Sequence, residues 1–113
     1  YRNQLQKSES IFEELLENAR QDKRKATALF GLAFVNFSKK DYVKTINLCE
    51  AVTGADKEFF DMETLGFLTA ASFYNLGRKD IFKKYYDRLK MKFPHGRYSK
   101  EMDQMKSTDK NKE

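Results

Sequence analysis

The residues able to do chemistry are few, and their spacing suits no reaction. Glu13, Glu14 and Glu17 place three carboxylates close together, a grouping that a metal ion or an acid–base reaction can use. No histidine or further acidic cluster accompanies them, so they read as the solvated face of a helix near its N-terminus, where negative charge is favoured. His95 is the sole histidine and stands between Pro94 and Gly96. A metal centre needs several converging ligands, and neither Cys49 nor the acidic residues have a suitable spacing with it. Cys49, the one cysteine, falls on an apolar helix face, where a small buried thiol is the ordinary reading. The chain holds no phosphate-cradling glycine loop, nucleophile elbow or zinc-ligand motif. The expectation is a non-catalytic protein with no cofactor, metal site or small-molecule substrate. Function is then to be sought in apolar surface.

Helices must display that surface. The 113 residues suffice for one modest domain. Hydrophobic residues make up 40% and charged residues 35%; Trp is absent, so ten Phe and six Tyr must fill much of the interior. A single proline, Pro94, and five glycines leave long stretches free of helix breakers. The net charge of +5 gathers between Arg78 and Lys112. Such a run is a solvated helix face or, in a second reading, a nucleic-acid surface made by Arg78, Lys79, Lys83, Lys84 and Arg88. No apolar run approaches the roughly 18 residues needed to cross a bilayer. The chain opens on Tyr1 rather than Met, which reads as an excised piece of a longer protein, with room for a signal peptide or lipid-anchor segment ahead of it.

Apolar periodicity predicts helices over about 10–20, 26–38, 41–53, 57–76, 80–93 and 99–105, and a disordered charged tail over 106–113. Ser10 and Glu13 have the spacing of a capping box ahead of the stripe Ile11, Phe12, Leu15, Leu16 and Ala19. Polar residues from Gln21 to Lys25 link to the second helix. That helix is apolar almost all round, through Leu29, Phe30, Leu32, Ala33, Phe34, Val35 and Phe37, and is either buried on several sides or offers a face to a partner. After a turn at Ser38–Lys40, Asp41 is placed to cap the third helix, and Thr53–Gly54 to stop it. Asp56 or Asp61 begins the fourth helix, which carries Phe60, Leu65, Phe67, Leu68, Ala70, Phe73 and Tyr74. Gly77 ends it, Asp80 is placed to cap the fifth, and Pro94 stops that one.

Residues 29–52 and 66–89 read as one helix–turn–helix unit written twice, 37 residues apart. Phe30 recurs as Phe67, Ala33 as Ala70, Phe37 as Tyr74, Leu48 as Tyr85, Cys49 as Tyr86 and Val52 as Leu89. Ile11, Phe12 and Leu15 repeat part of the phase upstream. A fixed period of this size marks an array of stacked helical hairpins. The arrangement resembles the tetratricopeptide repeat. The second unit carries the likeness at Ala70, Phe73, Gly77, Tyr86, Leu89 and Pro94, and the first at Leu32, Ala33, Tyr42, Ile46 and Val52. The first departs at Asn36, Lys40 and Cys49, where an aromatic, a glycine and an aromatic are expected. A three-residue surplus within Gly54–Phe60 accounts for the longer period. The segment Phe93–Glu101 is similar to repeat junctions of bacterial cell-envelope members, such as the barrel-assembly lipoprotein and the Tol–Pal-associated protein.

The resemblance implies an all-α fold of antiparallel hairpins stacked as a short right-handed solenoid over residues 1–105. It places Leu29, Ala33, Asn36, Ala70 and Phe73 inside the pairs. It turns Thr27, Phe30, Phe34, Phe37 and Ser38, then Thr64, Phe67, Ala71, Tyr74 and Asn75, toward a groove. The expected function is protein–protein interaction, with a partner's peptide or helix in an aromatic groove of Phe30, Phe34, Phe37, Phe67 and Tyr74. Asn75, Lys39 and Lys40 would orient the ligand at the rim and favour an acidic segment. An envelope or periplasmic setting is favoured over a cytoplasmic one. A nucleic-acid module and a structural homodimer stand as alternatives. The same aromatic stripe also has a plain reading as core covered by a flanking helix.

Overall fold

The computed structural model describes residues 8–15 and 22–111. Among them the protein is all-helical, without a strand: α1 (8–15), α2 (Asp22–Ser38), α3 (Tyr42–Ala55), α4 (Met62–Asn75), α5 (Lys79–Lys92) and α6 (Ser99–Asn111). The chain divides into two compact units, Tyr1–Phe60 and Asp61–Glu113.

In the first unit α2 and α3 form a hairpin whose interior holds Leu29, Leu32, Ala33, Ile46, Cys49 and Val52, all buried. Ala33 and Val52 are wholly enclosed, and the single methyl group of Ala33 lets the two helix backbones approach closely. Helix α1 lies against α2 where Gly31 leaves space: the Phe12 ring occupies the place a Cβ would take. In the second unit α4 and α5 form the corresponding hairpin, and α6 packs on both. Ala70, Phe82, Leu89 and Met102 make its core.

The two hairpins close by the same hydrogen bonds. In the first, the amides of Lys39, Lys40 and Asp41 donate to the carbonyls of Val35 (3.0 Å), Phe37 (3.0 Å) and Asn36 (2.9 Å). In the second, Leu76, Gly77 and Arg78 donate to Ser72 (3.0 Å), Tyr74 (3.1 Å) and Phe73 (2.9 Å). Every donor and acceptor is displaced by the 37 residues read from side-chain sizes. The closing residue takes a left-handed backbone in each, φ 64° at Lys40 and 81° at Gly77, which satisfies the carbonyls at the helix end. Lys40, where glycine was expected, adopts glycine's conformation.

Several expected boundaries move. Ser10 lies inside α1 rather than capping it; the expected extension over 16–20, with Leu16 and Ala19, lies outside the described residues. Helix α2 starts at Asp22 instead of 26, because Lys23, Arg24 and Lys25 are good helix formers that solvent accepts. Gly54 does not stop α3, which runs to Ala55; one helical glycine costs only about 1 kcal/mol. Helix α4 starts at Met62, after Phe60, because the Asp61 carboxylate accepts the Thr64 amide at 3.1 Å. Asp80 sits in the first turn of α5 while Arg78 holds the cap position without a side-chain bond to the helix backbone. Phe93 falls just beyond that helix. The largest change is at the end: α6 runs to Asn111 rather than stopping at 105. The expected disordered tail is therefore helical as far as it is described, with Lys106 over the Tyr86 ring at 4.6 Å.

Candidate partner-binding surface

The five aromatic residues of the expected groove divide between the units, and their surroundings differ. Phe30 and Phe34 stand one turn apart on α2, which brings their rings to 5.0 Å, edge to face. The chain beyond α3 returns two more rings to Phe30: Phe59 at 4.9 Å and Phe60 at 6.2 Å. Phe59 is buried, anchoring the cluster, whereas Phe34 is 42% and Phe60 80% exposed. Phe37 is half-buried and meets Tyr42 across the hairpin closure at 5.7 Å. Ile11 and Leu15 of α1 are also exposed. The first unit thus shows solvent a set of large apolar side chains built around two open phenylalanines.

In the second unit the same helix face is covered by the chain itself. Phe67 stacks on Tyr98, with ring centroids 4.3 Å apart and planes 9° from parallel. Tyr74 leans on the buried Phe82 at 5.2 Å, and Lys79 lies over its outer side at 5.5 Å. Both Phe67 and Tyr74 pack against the core that Met102 of α6 completes. For these two residues the core reading of the stripe describes what surrounds them.

What holds Tyr98 there is a polar lock. Arg97 donates through Nη2 to Asp61 at 2.5 Å and through Nε to Glu63 at 3.3 Å, while the Tyr98 hydroxyl meets the Thr64 hydroxyl at 2.9 Å. Burial pushes the Asp61 carboxyl up, but the Thr64 hydroxyl and amide and the Arg97 guanidinium outweigh it and hold the group below the usual range. Gly96 lies against the Glu63 carboxylate, which a side chain at that position would have to displace. On the far side of the unit, the Tyr86 hydroxyl donates to Asp103 at 2.5 Å. Lys90 donates to Ser99 at 2.6 Å and to Asp103 at 3.3 Å. The Asp103 carboxylate pushes the Tyr86 phenol up to about 12, with burial adding to it. These networks fasten α6 to the hairpin.

The expected rim residues are engaged within the chain. Lys39 donates to Glu9 of α1 at 3.0 Å, Asn75 donates to the Ala71 carbonyl at 2.7 Å, and Lys40 serves as the exposed left-handed residue of the hairpin closure. Sequence reasoning missed Phe59, which falls within the helix expected over 57–76, and Tyr98, which looked like part of a junction. The adjacent Phe59–Phe60 pair, at the end of the stretch that holds the three-residue surplus, is the signal that pointed to the first of these. Among the described residues no three His, Cys, Asp or Glu gather as for a metal ion, and no helix is long and apolar enough to cross a membrane. Comparison with protein-family models, curated proteins and solved structures finds no match for this chain.

Proposed function

We propose that this protein is a non-catalytic, tetratricopeptide-like interaction module that docks an apolar helix or peptide of another protein on the aromatic surface of its first unit. The observation that carries the reading is the pairing of a buried anchor with open rings: Phe30 and Phe59 fix the cluster while Phe34 and Phe60 stand in solvent. Large aromatic groups held rigid by their neighbours bind at low entropic cost and supply most of the energy of interfaces. The repeat reading, with its stacked right-handed solenoid, draws support from the recurrence of one hairpin closure at 37 residues. A place in a bacterial envelope assembly rests on the likeness of the Phe93–Glu101 junction alone.

Relative to the sequence-based expectation, the site contracts. Phe30 and Phe34 stay in it, Phe60 joins them, and Phe67 and Tyr74 leave it for the core of the second unit. The test is a photo-crosslinking amino acid placed singly at positions 34, 60 and 100 in the producing cell. Adducts with another protein at 34 and 60, absent at the exposed Lys100, are expected. Equal labelling at all three, or adducts formed only between copies of this chain, would sink the proposal. Polyanion binding by the exposed Lys83, Lys84 and Arg88 of α5 is the second reading. Its mark is affinity for nucleic acid that falls by orders of magnitude between low and physiological salt.

A further inference from the structure

The aromatic surface of the first unit continues along α2 into a cationic end. Lys23, Thr27, Phe30 and Phe34 follow at spacings of four, three and four, so they lie on one line down the helix. The Thr27 hydroxyl is turned back to the Lys23 carbonyl at 3.0 Å. Lys23, Arg24 and Lys25 are all exposed, and none forms an ion pair among the described residues. At the opposite end of α2, Lys39 and Lys44 share the one Glu9, at 3.0 and 4.0 Å, and Lys40 is exposed. Cations therefore flank the open rings, and on the line of the stripe Lys23 lies eleven residues before Phe34, about 16 Å along the axis.

We infer that the occupant of this surface is an acidic amphipathic segment of a partner protein, bound with its apolar side chains on Phe34 and Phe60 and its carboxylates at Lys23 and Arg24. The inference rests on the aromatic docking reading and adds to it a partner chemistry. A basic or uncharged segment would leave these cations without a counter-charge. Complementary rim charges raise association rates and select among partners more than they add to raw affinity. The discrimination should therefore be strong at low salt and fade as salt rises.

Three fluorescent helical peptides test it, measured by anisotropy against the whole chain. One carries leucines at positions i and i+4 followed after two turns by three glutamates. The second has lysines for the glutamates, and the third has serines for the leucines. The acidic peptide is expected to bind about tenfold tighter than the lysine peptide at low salt, in keeping with two rim contacts. The double variant Lys23→Glu, Arg24→Glu should invert that order while leaving the circular-dichroism melt in place, since both side chains are exposed. Equal binding of the acidic and lysine peptides would overturn the inference and leave aromatic docking standing. Binding of the serine peptide as tight as the acidic one, or no binding by any peptide, would overturn aromatic docking itself. An acidic preference that survives the double variant would overturn the placement of the carboxylates at Lys23 and Arg24.

Discussion

Lys40 and Gly77 occupy the same place in two copies of one turn, yet only one of them is suited to it. A side chain in the left-handed region carries a penalty that glycine escapes. Lys40→Gly is expected to stabilise the first unit by roughly 0.5–1 kcal/mol, and Gly77→Ala to destabilise the second by about 1 kcal/mol. Urea denaturation midpoints moving in opposite directions check the pair; a loss of stability in Lys40→Gly would show that the lysine side chain has a role the backbone does not explain. Tyr86 makes a residue-scale prediction of another kind. Its phenol is raised from 10.0 to about 12 by Asp103, so the protonated form is the one the fold favours. The stability it contributes is complete below pH 10 and is lost as the pH rises from there through about 12. Absorbance of tyrosinate at 295 nm should therefore show a late-titrating tyrosine that is missing in Tyr86→Phe. If the two titrations coincide, the Tyr86–Asp103 bond does not persist in solution.

At the scale of elements, α6 decides what the second unit can bind. Its Met102 is buried in the core, and the loop before it lays Tyr98 over Phe67. Met102→Ala is expected to cost about 2–4 kcal/mol through the cavity it leaves, read as a lower urea midpoint. Removing residues 106–113 should lower the melting temperature slightly, because Lys106 caps the Tyr86 ring and such a contact contributes about 0.5–1 kcal/mol. An unchanged melt would restore the expectation of an unattached tail. The α2–α3 and α4–α5 hairpins were legible in the chain because their evidence is local: apolar spacing, a capping aspartate at Asp41 and the turn at Gly77. The docking of α6 was not, since Ser99–Met105 carries only two apolar residues, Met102 and Met105, and its attachment depends on Lys90, Tyr86 and Arg97 elsewhere.

Across the whole molecule, apolar surface is unevenly shared. Among the described residues, Ile11, Leu15, Phe34, Val43 and Phe60 are the exposed large hydrophobics of the first unit, against Leu76 and Met91 in the second. A protein that leaves phenylalanines in water gains by covering them. Changing Phe34 and Phe60 together to Ser should accordingly leave the circular-dichroism melting temperature close to the parent's. A large drop in melting temperature would place those rings in a core instead. The sequence by itself determined the helical class, the 37-residue duplication and the hairpin turns, because these follow from contacts among residues near in the chain. It could not decide which copy of the aromatic stripe stays open. Phe30 and Phe67 share one phase in the two units, each followed by an alanine three residues on and an aromatic seven on, and the three-dimensional return of Phe59 and Phe60 to one, and of Tyr98 to the other, made the first an anchor beneath exposed rings and the second a wall of the core.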